Sequence, residues 1–401
     1  MQLSAKPKYP FLFQGMHVAS QSIKLKPTEF ADIPASARLA ILLPTFRWSD
    51  HVRSTIGSLL GVANEEVVVL IGDNSENKEK RDFLKKIHAI NPFILTTSHK
   101  KNIGSFKNYM YLHDWCRDVE FSAILTDDDW ISPTYHTDAY QHVLANPSVS
   151  CCSAGTTFVD IGDGQAVNVN QPSMLGAHAI DRMKAWSAGA ARATMYNASR
   201  RQHLSPAMEF HRRSPLNGLT LIEDLWELSR LAQGEFHNIS GHGIYLHYPA
   251  TRTIGGDETE RFYNLICKNE GLQFPFVYFA ALSTAIQCAV FLMGKLSPVN
   301  AMENRYECAQ HVFRHIFLTQ FLPHVTGSSS RDAAAVMFAD HPVAMEGFLQ
   351  YCNTANAAHV VCDKDLLSWF VEVIRVFESP ASEDKPLLSQ RFEQFIHDLL
   401  Q

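Results

Sequence analysis

Residues 38–50 read RLAILLPTFRWSD. The apolar run Leu39 to Leu43 does not alternate with polar residues, so it suits a parallel strand covered on both faces. Pro44 stops the run. Ser49 or Asp50 can then cap a helix that carries Val52, Ile56, Leu59 and Leu60 and ends at Gly61. The same rhythm recurs downstream. EVVVLIG (66–72) runs into Asp73, Asn74 and Ser75, and a charged helix follows to about His88. PFILTT (92–97) is a third strand, and after Asn102 and Gly104 a helical stretch reaches about Cys116. FSAILT (121–126) delivers a fourth strand into Asp127. Strands alternating with helices predict an α/β fold, a mixed, mainly parallel sheet flanked by helices. Functional loops in such a sheet gather at the carboxyl ends of the strands.

Beyond this region the texture changes. Between about 149 and 262 the signals mix: short strands (SCCSAGTTFVD, 150–160), loops, and a helix near 222–233. From Phe262 onward long helical patterns rich in Phe, Leu and Ala run to Gln401. The expected division is an N-terminal extension (1–36), an α/β domain (37–262) and a C-terminal α-helical domain (263–401). Within the last, FVYFAALSTAIQCAVFLM (276–293) is apolar enough to invite comparison with a membrane span. Ser283, Thr284 and Gln287, with no basic flank on both sides, favour a buried core helix. GSSSRD (327–332) and SPASEDKP (379–386) read as loops between helices.

Composition bounds the function. The chain has 401 residues, 46% hydrophobic and 19% charged, which suits a globular protein and excludes a disordered or collagen-like one. Lys+Arg 35 against Asp+Glu 41 gives a net charge of −6 with no basic block, so nucleic acid is not an expected partner. The eight cysteines are scattered without a CxxC pair, which points to free thiols in a reducing compartment. The first thirty residues lack a long apolar segment, which argues against a secretory signal; a cytoplasmic location is expected.

Four polar clusters carry the chemistry. Asp127-Asp128-Asp129 directly follows the fourth strand. Three carboxylates there repel one another, and Mn²⁺ or Mg²⁺ shared with substrate phosphates relieves the repulsion; an acidic turn capping the next helix is the alternative. Gly72-Asp73-Asn74-Ser75 can accept hydrogen bonds from a nucleobase or serve as ordinary turn chemistry. Asn102-Ile103-Gly104, with Lys107-Asn108 behind it, aims helix N–H groups at phosphate or merely caps the helix. Glu223-Asp224 opens the helix in LIEDLWELSRL (221–231), either as a general base with an acidic neighbour or as two solvated acids favoured by the helix dipole.

Taken together, ILLPTFRW (41–48), IGDNSEN (71–77), NIGSFKN (102–108), ILTDDDWISP (124–133) and IEDLWELSRL (222–231) stand in the order and approximate spacing of a known family. Over about residues 38–250 the chain resembles the inverting family-2 glycosyltransferases of GT-A fold. That resemblance implies a metal-dependent transfer of sugar from a nucleoside-diphosphate donor, with a UDP-sugar favoured. The acceptor would be the hydroxyl of a saccharide or glycoconjugate, in polysaccharide or glycoconjugate biosynthesis. By the same resemblance, Pro44, Thr45 and Phe46 would border the nucleoside, Asp73 would contact the base, and Asn102 and Gly104 would line the nucleotide pocket. Asp127 and Asp128 would face the donor, Asp127 and Asp129, or in a shifted register Asp128 and Asp129, would hold the cation, and Asp224, with Glu223 beside it, would deprotonate the acceptor hydroxyl.

The match has departures. Thr126 stands where the family often has an acid, and Lys107-Asn108 replaces an Arg-Asn pair, keeping the charge but losing a planar fork. His247 and Arg252 only loosely echo the family's basic loop; either they touch the pyrophosphate or His247 is a strand-end residue satisfied by backbone. Trp130 and Trp186 are read as core in preference to sugar platforms. A nucleotide-sugar pyrophosphorylase would need a glycine-rich loop where PTFRWSD (44–50) stands. A catalytically degenerate scaffold that binds glycans or partner proteins would not need both acid clusters. The helical tail could build the acceptor site, mediate self-association or make peripheral membrane contact.

Overall fold

The structure is a computed structural model, and it describes residues 32–127, 129–132, 134–154, 157–160, 165–168, 172–189, 196–216, 222–239, 244–247, 272, 277–326, 328–353, 359–378 and 386–401. The first apolar run forms β1 (Leu39–Thr45), and the second forms β2 (Val67–Asp73); every residue of both is buried. They pair in parallel from Leu39↔Val67 to Thr45↔Asp73. Between them lies α1 (Asp50–Ser58), whose N-cap Ser49 accepts the backbone N–H of Val52. The remaining crossovers follow the same logic: α2 (Lys78–Ile90), β3 (Ile94–Ser98), α3 (Ser105–Trp115), β4 (Phe121–Ile124) and, beyond β5 (Asp129–Ile131), α4 (Thr134–Ala145). Helices on both faces explain why the strand sequences are apolar throughout instead of alternating.

The chain continues through β6 (Val149–Ser153), β7 (Thr157–Asp160), β8 (Gln165–Asn168), α5 (Ala179–Ala188), β9 (Ala198–Arg200), α6 (Ser205–Arg213), α7 (Ile222–Gln233), β10 (Glu235–Asn238) and β11 (Ile244–His247). The main sheet has seven strands in the order β10-β6-β9-β4-β1-β2-β3. Only β9 is antiparallel to its neighbours β4 and β6; the other pairings are parallel. The expected mixed, mainly parallel sheet is therefore present. A second sheet, β5-β11-β7-β8, was not foreseen. It sets Asp129 opposite His247 in the antiparallel β5–β11 ladder.

Past residue 276 the described chain is helical, as expected: α8 (Val277–Met293), α9 (Met302–Ile316), a π-helical turn Phe317–Phe321, α10 (Leu322–Val325), α11 (Ser328–Met337), α12 (Pro342–Tyr351), α13 (Lys364–Phe377) and α14 (Leu388–Leu400). α8 is buried on every side, the pattern of a central core helix. Gln287 at its centre accepts a hydrogen bond from Ser214 Oγ (2.5 Å) and donates to Leu216 O (3.2 Å) and Ser283 Oγ (3.0 Å). An amide buried this deeply is tolerated because its hydrogen-bonding groups are matched. Among the described residues no helix is long and apolar enough to cross a membrane. One loop expectation needs correction: in GSSSRD the helix α11 already begins at Ser328, because short hydroxyl residues serve helix starts as readily as loops. SPASEDKP, apart from its last residue, lies outside the described residues, as does most of the N-terminal extension.

The sheet and the helices share one cluster of buried apolar side chains. Phe210 of α6 meets Phe291 of α8 and Phe395 of α14 edge-on, with centroids 5.4 and 5.2 Å apart. Phe279, Phe291, Phe313, Phe317 and Phe321 are all buried, in keeping with their expected core role.

Candidate functional site

Parallel strands ending side by side bring distant residues together. The carboxyl ends of β1, β2, β3 and β4 place Thr45, Asp73, Ser98 and the Thr126-Asp127 turn along one rim of the sheet. Ligands of open α/β sheets bind outside such a rim. α7 reaches the same side by topology. It packs on β6 and β10, and only Gly234 separates its last residue from β10, so it runs back along the strands. Its first turn, with Glu223 and Asp224, therefore lies toward the carboxyl ends.

The loop after β1 is fastened at successive residues. Thr45 O accepts the N–H of Asn74 (2.8 Å). Asp127 Oδ2 accepts both the Thr45 hydroxyl (2.6 Å) and the Phe46 N–H (2.9 Å). Lys80 Nζ donates to Arg47 O at 2.8 Å. Pro44 and Thr45 are buried, and the Phe46 ring stands at the rim, 41% exposed. An exposed aromatic on an immobilised backbone is a surface ready to be covered.

Beside this loop the Asp73 carboxylate is 0% exposed. Its Oδ1 accepts Ser75 N (3.0 Å) and Ser75 Oγ (2.7 Å) and lies 3.2 Å from Lys80 Nζ, while Oδ2 accepts Ser98 Oγ (3.2 Å). Asp73 thus sits at the expected strand end but turns inward. Asn74 is the group that links this turn to the next one. Its Nδ2 donates to Asn102 Oδ1 (2.7 Å) and its Oδ1 accepts Ile103 N (2.8 Å). Asn102 Oδ1 also accepts Gly104 N at 2.8 Å. Gly104 has φ 85°, a conformation that a side chain would strain, so glycine is required at the start of α3. Asn108 completes the corner: its Nδ2 donates to Gly72 O (2.6 Å) and its Oδ1 meets His99 Nε2 (2.9 Å). A Cβ at position 72 would lie 2.2 Å from Asn108 Oδ1, which leaves room only for glycine. Burial lowers the His99 pKa, so this imidazole favours the neutral form.

The acidic triplet divides. Asp127 is half-buried at the rim, and both of its hydrogen bonds fall on Oδ2. Asp128 lies outside the described residues. Asp129 is 1% exposed, and its Oδ2 accepts the hydroxyls of Thr126 and Tyr196; its carbonyl accepts Thr55 Oγ1 at 2.7 Å. Among the described residues no group of three His, Cys, Asp or Glu forms a cage for a metal ion. Mg²⁺ and Mn²⁺ bound with a phosphate substrate need only one or two carboxylates, and Asp127, whose Oδ1 takes no hydrogen bond from the described residues, suits that donor set. Asp129 meets the same turn from inside.

Glu223 is half-buried and Asp224 is 4% exposed. Burial, with the Asp224 charge adding to it, raises the Glu223 pKa to about 7. A carboxyl raised from 4.5 holds its proton in the folded state after the unfolded chain has lost it, so stability falls as pH rises through this interval. We expect Glu223→Gln to remove this slope. The melting temperature of the parent should drop between about pH 4.5 and pH 7 relative to the variant, and parallel curves from differential scanning fluorimetry would refute the assignment.

Other expected residues have different places. Trp186 is wholly buried and donates its indole N–H to Glu227 Oε2 at 2.5 Å, which confirms a core role. Trp130 is half-buried in β5. Arg252 lies outside the described residues, and His247 is placed by its register with Asp129 of β5 and Asp160 of β7. Two residues not singled out in the sequence join the site: Lys80, which faces Asp73, and Tyr196, which faces Asp129. Nothing local marks either, since each acts on a residue from another segment.

No family model and no curated protein matches this sequence. Among solved structures the chain is similar to S. aureus TarS, at 10% identity and a TM-score of 0.49 over 90% of this chain and 55% of that one. It is also similar to S. aureus TarS 1–349, at 10% identity and a TM-score of 0.48 over 88% of this chain and 98% of that one. The TarS 1–349 complex with UDP-GlcNAc gives the same identity and TM-score over 87% and 98%. The chain thus spans about 55% of the length of the longer TarS structure.

Proposed function

We propose that the chain is an inverting glycosyltransferase of GT-A type that moves a sugar from a nucleoside diphosphate, preferably a UDP-sugar, to a hydroxyl of a saccharide or glycoconjugate. The observation that carries this reading is the strand-end site itself. Asp127 fastens the Phe46 loop, and the Asp73–Asn74–Asn102 network builds the adjoining wall. In this reading Pro44, Thr45 and Phe46 border the nucleoside, Asp73 and its turn form the base side, and Asn102 and Gly104 line the phosphates at the N-terminus of α3, where N–H groups favour anions. Asp127 at the rim, with Asp129 behind it in the same turn, would hold a divalent cation, which when bound offsets the charge that develops on the leaving diphosphate.

The chemistry requires one base. The acceptor oxygen forms a bond to the anomeric carbon while the bond from that carbon to the diphosphate oxygen breaks, and the acceptor proton passes to the Asp224 carboxylate. Attack opposite the leaving group inverts the centre without a covalent intermediate. Glu223, whose pKa burial and the Asp224 charge raise to about 7, holds its proton below that pH, which leaves Asp224 as the member of the pair to act as base.

Thermal unfolding with nucleotides tests the donor class. Uridine diphosphate with Mn²⁺ at about 100 times its dissociation constant should stabilise the fold by about 2.7 kcal/mol, seen as a raised Tm. If uridine, thymidine and guanosine diphosphates all leave the Tm unchanged, the reading fails.

A further inference from the structure

Lys80 is the fully buried cation beside the site: its side chain, like that of Asp73, is 0% exposed. It belongs to the first turn of α2, a helix whose sequence (KEKRDFLKKIHAI) reads as a solvated charged surface. Its ammonium nevertheless points inward, 3.2 Å from Asp73 Oδ1 and 2.8 Å from Arg47 O. It therefore joins the β1–α1 loop, which carries Phe46, to the strand end that carries Asp73. The helix start is itself fixed, because N-cap Asn77 Oδ1 accepts Lys80 N at 3.0 Å.

Stability alone gives a weak account of this arrangement. Replacing a buried ion pair by apolar residues is often neutral or stabilising by about 1–4 kcal/mol. Desolvation lowers the pKa of Lys80, and the charges of Asp73 and Asp127 oppose that lowering. Asp127 is also the residue that holds Thr45 and Phe46. The loop is thus gripped from two sides, by Asp127 at Thr45 and Phe46 and by Lys80 at Arg47. What remains outside this grip is the Phe46 ring.

We propose that Lys80 is a positioning residue for the nucleoside end of the donor, setting the Phe46 loop and the Asp73 turn in the relative placement that binds a nucleotide base. The inference rests on the proposed transferase reading. Lys80 touches no substrate in it; its effect passes through the Arg47 carbonyl and the Asp73 carboxylate.

Lys80→Met keeps much of the stem and removes the charge and both polar contacts. Its expected signature is a dissociation constant for uridine diphosphate raised at least tenfold by calorimetry. The increase should be the same for uridine monophosphate, and KM for the donor should rise while kcat stays within about threefold of the parent. A purely structural role would lower the Tm and leave the affinity of the folded fraction unchanged. Since Lys80→Met takes from the buried Asp73 its nearer cation and leaves Arg81 Nε at 3.9 Å, Asp73→Asn/Lys80→Met serves as the folding control, and its nucleotide affinity should stay weak. Parental affinity in either folded variant overturns the positioning role while leaving the transferase reading intact. A parent protein that binds none of the uridine, thymidine or guanosine diphosphates overturns both.

Discussion

Asp224→Asn is expected to leave nucleotide binding within about threefold of the parent and to slow sugar transfer by about 10²–10⁴-fold, the range a general base contributes. The substitution preserves size and one acceptor oxygen at a residue that is 4% exposed, so the first turn of α7 should hold its shape. What it removes is the capacity to take a proton from the acceptor hydroxyl. Hydrolysis of the donor by water and transfer to an acceptor should therefore both slow, while the calorimetric affinity for uridine diphosphate persists. Transfer at the parental rate would take the base role away from Asp224.

Asp127→Ala should have the second large effect, and it acts on the donor. The carboxylate accepts the Thr45 hydroxyl at 2.6 Å and the Phe46 N–H at 2.9 Å. Hydrogen bonds to charged groups contribute about 1.5–3 kcal/mol each to stability, so losing both should lower the Tm, and the released Phe46 loop should weaken nucleotide affinity. Asp127→Asn separates two roles of this residue. Its amide oxygen can still accept from the loop, so the Tm should recover, whereas stimulation by Mn²⁺ should not, because the anionic ligand is gone. Parental nucleotide binding by the alanine variant would show that the rim of β4 has no part in holding the donor.

The main sheet was legible because its strands are unbroken apolar runs stopped by turn residues. EVVVLIG predicts a strand at 66–72, and β2 spans Val67–Asp73. The helix expected near 222–233 is α7, Ile222–Gln233. The second sheet was not legible, for two reasons. β5 has three residues and β11 four, too few for a periodic signal, and their pairing joins segments more than a hundred residues apart. Within the site, sequence identifies the acids but not their environments. Asp127 and Asp129 look equivalent in the triplet, yet one is half-buried at the rim and the other is closed off by Thr126 and Tyr196. Thr126, a departure from the family pattern, is one of the two hydroxyls that hold Asp129. Lys80 was invisible for a related reason: a lysine in a charged helix reads as solvated until Asp73 and Arg47, from other segments, are brought to it.

The contact of Phe210 with both Phe291 and Phe395 has a bearing on how the molecule could open. Two bodies that swing apart need a thin, wettable seam, and here the two parts meet through buried aromatic rings. The strand-rich and helix-rich parts, which share one buried apolar cluster, are therefore expected to move as one body. In the proposed transferase, segments at the sheet's rim are then expected to admit and release substrates, and amino-acid changes that alter turnover by affecting motion should cluster there, away from the junction of α6, α8 and α14.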